Sequence, residues 1–172
     1  MTDEAAMQLV AGGDLDKAAI LYERYKRPLY NFYLRFGVER DSSQDLTQQV
    51  FYRIIHYRQS YKDGYEFRTW IYRIARNIYH DYLKEQSHNH KDLNENFDLA
   101  EEENYDDEQY LLIQKALKKI PQEYQEVLRL SRYEDLKYEE IADVLNISVS
   151  LVKVRVHRGL KQLKEEFLKL NY

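Results

Sequence analysis

The chain contains no cysteine, so neither a disulfide framework nor a thiolate metal site is open to it. Glycine is scarce, five in 172 residues, and proline scarcer still, two. That scarcity excludes fibrous and low-complexity classes, and no glycine-rich loop exists to cradle a phosphate. No apolar run is long enough to cross a bilayer. The opening stretch, Met1 to Val10, carries Asp3 and Glu4 and no basic segment, so it does not read as a secretory signal. These absences point to the reducing cytoplasm, without membrane insertion.

What is present favours helices. Hydrophobic residues make up 44% and charged residues 33%, a mix suited to one or two small helical domains. The net charge of −4 argues against nucleic acid only until its distribution is read. Residues 1–86 hold 13 Lys/Arg against 12 Asp/Glu, residues 87–109 hold one against nine, and residues 110–172 hold 12 against nine. The acidity sits in one short stretch, and both flanking blocks are mildly basic.

Apolar spacing predicts a short helix over Asp3–Ala11, stopped at Gly12-Gly13, with Asp14 or Asp16 capping the next. Leu21, Tyr25, Leu29, Phe32 and Phe36 recur at helical spacing, and Pro28 among them must kink that helix or start a new one. Ser42 or Ser43 is the expected cap of a third helix, which buries Leu46, Val50 and Ile54. Residues 60–67 read as a loop around Asp63-Gly64. A fourth helix runs from about Arg68 to Glu85. The acidic stretch 87–109 has no clean period and reads as a flexible linker. Helices resume over 110–120, after Pro121, over 138–146 and over 148–170, with no strand alternation and no internal repeat. The expected class is all-α: two small bundles on an acidic tether, the second ending in a helix-turn-helix.

That last motif runs from Tyr138 to Arg158. Its first helix buries Ile141, Ala142 and Leu145; Asn146-Ile147-Ser148 forms the turn, with Ser148 as cap. Val152, Val156, Leu160, Leu163 and Phe167 share one face of the second helix. Ser150, Lys153, Val154, His157 and Lys161 lie opposite, flanked by Arg155 and Arg158. Residues 148–164 carry five Lys/Arg and no acid. Such a helix suits the major groove of DNA, although a solvated basic face on an ordinary hairpin has the same pattern. Residues 52–84 interleave aromatics (Tyr61, Tyr65, Phe67, Trp70) with cations (Lys62, Arg73, Arg76). That composition suits separated DNA strands, and Asn77 offers an amide to a base edge. With 17 tyrosines in the chain, many of these rings, Trp70 included, are equally accounted for as core.

The ordered set of motifs resembles the extracytoplasmic-function group of bacterial sigma factors. It comprises Leu29-Tyr30-Asn31-Phe32-Tyr33, the run Asp45-Leu46-Thr47-Gln48-Gln49-Val50-Phe51-Tyr52-Arg53-Ile54, and the run from Phe67-Arg68-Thr69-Trp70 to Arg76-Asn77. Tyr138-Glu139-Glu140-Ile141-Ala142 and Val152-Lys153-Val154-Arg155-Val156-His157-Arg158 complete it. The resemblance implies a factor that brings core RNA polymerase to promoters, with no catalysis and no cofactor. It implies that residues 1–86 bind the clamp of the largest subunit and the −10 element, and that residues 110–172 read the −35 element and meet the polymerase flap. Asp45, Gln48, Gln49 and Arg53 match the clamp-docking helix. Tyr61 and Asn77 match a pocket for a flipped non-template base, and the loop 61–67 would set which base fits. Lys153, His157 and Arg158 match recognition-helix contacts. An anti-sigma protein is a further possible partner. The chain departs from the family pattern at Leu151 and Val154, where Thr and Ser are common, at Lys137 in place of a Ser/Thr cap, and at Gly159-Leu160. The −35 sequence therefore does not carry over from relatives.

Two other readings compete. An ordinary two-domain regulator would share the helix-turn-helix without needing the 45–53 helix or the aromatic–basic segment. An enzyme would have to be built from His56, His80, Asp81, His88 and His90. No catalytic constellation is assembled from them, since His80 and Asp81 diverge as neighbours on a helix and His88 and His90 lack a partner motif.

Overall fold

A computed structural model describes residues 1–88 and 107–171. The acidic segment expected as a linker lies largely outside the described residues. The chain divides into two compact units, Met1–Asp98 and Leu99–Tyr172.

The first unit is built from four helices: α1 (Asp3–Ala11), α2 (Ala18–Arg35), α3 (Arg40–His56) and α4 (Phe67–His88), with short 3₁₀ turns at Leu15–Lys17 and Arg58–Ser60. Thr2 caps α1 by accepting the Ala5 N–H, and Asp3 and Glu4 sit in the first turn, where helix-dipole attraction favours carboxylates. Gly12 ends α1, and Gly13 supplies the positive φ of 109° that the turn requires. Asp14 flanks the 3₁₀ turn without a side-chain cap bond, contrary to the capping expected there. Of the two outcomes expected at Pro28, a kink or the start of a second helix, the second does not occur, since α2 continues through it. Loss of one backbone bond is offset by buried Leu29, Phe32, Tyr33 and Leu34 in the turns that follow. Neither Ser42 nor Ser43 caps α3. The helix begins earlier, after Glu39, and Ser43 is buried with its hydroxyl donating to the Val38 carbonyl at 3.1 Å. Leu46, Val50 and Ile54 of α3 and Phe67, Ile71, Ala75 and Ile78 of α4 are buried in the core, and the two helices pack together. Across it the Tyr33 hydroxyl donates to the Ala75 carbonyl at 2.8 Å.

The second unit holds α5 (Asp107–Lys119), α6 (Gln122–Arg132), α7 (Tyr138–Leu145) and α8 (Val149–Leu170), and α8 packs on all three others. Pro121 stands just before α6, where its missing N–H costs nothing. Asn146 ends α7 in the left-handed region, φ 55°, which an asparagine tolerates. Ser148 caps α8 by accepting the Leu151 N–H at 3.1 Å. Lys137 lacks a capping oxygen, but Glu140 supplies half of a capping box by accepting the Lys137 N–H at 3.1 Å. On the shared apolar face of α8, Val152 and Val156 are buried and Leu160 is 53% exposed. Gly159 takes the inward place, where a Cβ would meet Tyr124 Cβ at 3.1 Å and Leu128 Cδ1 at 3.2 Å. The absence of a side chain there lets α6 and α8 approach closely. Among the described residues every regular element is helical, and no helix is long and apolar enough to cross a membrane.

Candidate nucleic-acid and polymerase interfaces

Three surfaces gather the residues of interest. On α3, Asp45, Gln49, Tyr52 and His56 are exposed and recur at three- and four-residue spacing, so they form one stripe. Its edges are tied to the neighbouring helices. Gln48 donates to the Tyr22 hydroxyl of α2 at 3.2 Å, and Arg53 pairs with Asp81 of α4 at 3.1 Å. Asp45 and Gln49 thus face outward, whereas Arg53 is held sideways against α4. Tyr52, 67% exposed and stacked on the His56 ring at 5.6 Å, belongs to this stripe and is absent from the residues expected to dock. Its place seven residues beyond Asp45 is the signal that would have included it.

The second surface is the loop from Tyr61 to α4. Lys62, Asp63 and Tyr65 are exposed, and Gly64 adopts φ 86° at the turn. Tyr61 is turned inward. It is 7% exposed, its ring meets Trp70 edge-on at 5.1 Å, and its hydroxyl donates to the Tyr65 carbonyl at 2.5 Å. Burial, then the carboxylates of Glu4, Asp63 and Asp3, pushes its phenol up to about 12. The expected stacking face of Tyr61 is therefore spent on shaping the loop, and Tyr65 carries the loop's outward ring. Phe67, counted among the DNA contacts, is fully buried and serves the core in this conformation. Its spacing from Ile71 and Ile78 already fits the apolar face of α4. Asn77 is exposed on α4, with Arg73, Arg76 and Trp70 half-buried on the same helix.

The third surface is α8. Ser150, Lys153, His157, Arg158 and Lys161 are all exposed, opposite buried Val152 and Val156. Arg155 departs from this set: it is largely covered and pairs with Glu123 of α6 at 3.5 Å. Behind α8 lies an apolar groove of about 680 Å³, lined by Ile113, Leu117, Leu128, Leu160, Leu163 and Phe167.

A Sigma-70 region 2 family model matches residues 21–89, and a Sigma-70 region 4 model matches residues 110–163. The chain is 33% identical to the RNA polymerase sigma factor SigZ of Bacillus subtilis over 147 residues, 84% of each chain. It is 27% identical to the ECF RNA polymerase sigma factor SigW of the same organism over 172 residues, 91% of this chain and 92% of that one. The chain belongs to the extracytoplasmic-function group of RNA polymerase sigma factors.

A sigma factor is a non-enzymatic initiation factor: it binds core RNA polymerase and promoter DNA and gives initiation its promoter specificity. The fold agrees with a solved structure, that of the sigma factor RpoE in complex with the anti-sigma factor NepR from Bartonella quintana. It shows 19% identity and a TM-score of 0.74, over 90% of this chain and 98% of that one. The region 4 match contains the whole of α7 and its turn into α8, so the basic face of this sigma factor stands on its helix-turn-helix. The region 2 match spans α3, the 61–67 loop and α4.

Proposed function

We propose a division of labour within this sigma factor. The outward stripe of α3, centred on Asp45, Gln49 and Tyr52, docks on the polymerase clamp. The loop 61–67, with Asn77 on α4, reads and holds a flipped base of the −10 element and so assists melting. The exposed face of α8 reads the −35 element, and the apolar groove behind it receives an apolar segment of the polymerase flap. The factor works in the cytoplasm, where the polymerase is. Like RpoE beside NepR, it is a target for an anti-sigma protein that competes for these faces.

The observation that carries the reading is the segregation on α8. Lys153, His157, Arg158 and Lys161 face solvent together, while Arg155 is drawn back to Glu123, leaving a narrow basic ridge of groove-entering size. The α3 stripe supports clamp docking because its carboxylate, Asp45, and its amide, Gln49, are both exposed.

In vitro transcription with purified core polymerase and genomic fragments, with and without this chain, tests the whole. Expected is chain-dependent initiation at a small set of promoters sharing −10 and −35 elements, and loss of −35 dependence for Lys153→Ala. Initiation that is independent of the chain, or insensitive to both elements, would overturn the proposal.

A further inference from the structure

We infer that the first helix sets base preference at the −10 element without touching DNA: Glu4 and Gln8 of α1 hold the loop 61–67 in its selecting shape. The inference rests on the reading of that loop given above.

The two side chains lie one turn apart on α1, hence on one side of it. Ala6, Met7 and Val10 are fully buried and seat the helix in the core. Glu4 Oε1 accepts the backbone N–H of Phe67, the first residue of α4, at 3.0 Å. That N–H is one of the donors a helix start leaves without an internal partner, and a carboxylate is favoured at its positive end. An acceptor for the start of α4 is therefore delivered from 63 residues away. Gln8 Nε2 donates to Asp63 Oδ1, within the loop itself. Only Gly64, Tyr65 and Glu66 separate these two anchors.

Within the span the loop closes on itself. Tyr61 donates to the Tyr65 carbonyl, and the Tyr65 N–H donates to the Lys62 carbonyl at 3.1 Å. On its other side α1 is fixed to α2, because Asp3 accepts from Arg24 Nη1 at 2.7 Å and from the Tyr25 hydroxyl at 2.6 Å. The exposed side chains of the loop, Lys62, Asp63 and Tyr65, are thus displayed on a frame running from α2 through α1. Discrimination among bases requires that a wrong base meet a clash or an unpaired polar group. A loop free to move relieves both, so the bracing sharpens selectivity more than it raises affinity.

The test uses the full chain with core polymerase on templates differing only at the −10 base that the loop contacts. The readout is the ratio of initiation on the best base to initiation on the next. Gln8→Ala should lower that ratio roughly three- to tenfold, the range for losing one hydrogen bond, while core binding and thermal unfolding stay at wild-type values. Gln8→Glu, which sets carboxylate against carboxylate, should lower it as well. Adding Asp63→Asn to Gln8→Glu reverses donor and acceptor and should restore most of the ratio, measured against Asp63→Asn alone. Glu4→Ala should behave like Gln8→Ala; if it fails to fold, Gln8→Ala decides. A ratio unchanged in Gln8→Ala, with Lys62→Ala or Asp63→Ala still altering it, would overturn the bracing and leave the loop reading standing. A ratio that no loop substitution alters would overturn both.

Discussion

Tyr25, Tyr33 and Tyr61 each keep a hydroxyl proton more firmly than an exposed tyrosine does. For all three the first cause is burial; hydrogen bonding to Asp3 adds to it at Tyr25, and nearby carboxylates add at Tyr25 and Tyr61. Their folded pKa values lie above the ordinary 10.0, and that of Tyr61 lies at about 12. A raised value means a contribution to stability that is complete below pH 10 and lost as the pH climbs through the folded value. Urea midpoints should therefore hold steady up to about pH 10 and fall from there towards pH 12, with Tyr61→Phe flattening part of the decline. Tyrosinate absorbance should lag in the folded protein and appear on unfolding; full ionisation without a loss of structure would contradict this. A second residue-scale device is the buried pair Gln114 and Arg129, whose Nη1 donates to Gln114 Oε1 at 2.8 Å, while Gln114 Nε2 donates to the Tyr133 hydroxyl at 3.1 Å. Gln114→Leu keeps the volume and removes that acceptor, and should cost about 1–3 kcal/mol in a denaturant melt. None of this was legible in the sequence. Spacing tells which face a residue occupies; it does not tell that the Tyr61 hydroxyl finds the Tyr65 carbonyl, or that an arginine so deep has a glutamine to receive it.

Elements were far more legible, because the pattern that signals a helix is the one that buries it. The helix-turn-helix came through with its turn and its Ser148 cap, since burial of Ile141, Ala142, Leu145, Val152 and Val156 is written in their intervals. What failed was local chemistry overridden by tertiary contacts. Ser43 looks like a cap and is a buried donor, Pro28 could have started a new helix and instead lies inside α2, and Gly159 in α8 is buried where Tyr124 and Leu128 come close. The ion pair of Arg155 with Glu123 likewise separates it from its basic neighbours. Lys153→Ala and Arg158→Ala should therefore each cost about 1–3 kcal/mol of −35-dependent promoter use, and cost less on promoters with a strong −10 alone. Arg155→Ala should act on stability instead, by less than about 1 kcal/mol, as partly exposed pairs do. Equal loss of −35 use for all three in run-off transcription would mean that the pair with Glu123 opens on DNA. On α3 the corresponding expectation is that Asp45→Lys or Gln49→Lys weakens core association at least about tenfold, through repulsion or lost complementarity, with circular dichroism unchanged. Copurification of both variants at wild-type levels would remove α3 from the docking surface.

At the scale of the whole molecule the charge is divided rather than summed. Residues 110–172 hold only a modest excess of cations, 12 Lys/Arg against nine Asp/Glu, and the exposed ridge of α8 offers Lys153, Arg158 and Lys161, with His157 among them. If the three Lys/Arg of this ridge meet phosphates, affinity falls with salt along a log–log slope of about −3, a small electrostatic contribution beside that of dedicated duplex binders. The first unit is nearly balanced in charge, and the loop proposed to read a base would have an exposed target only once strands separate. Neither unit alone should therefore supply tight duplex binding. Tight binding should arise when polymerase holds both units on one promoter, so that the second contact is made at high effective concentration. Fluorescence anisotropy should show the isolated chain binding promoter duplex only weakly, in the range of about 10⁻⁴ to 10⁻⁶ M near physiological salt, with little preference over scrambled DNA. Adding core polymerase should bring tight and sequence-dependent binding. Nanomolar, sequence-specific binding by the chain alone would show that the ridge of α8 suffices, and that this sigma factor can find its promoters before it finds the polymerase.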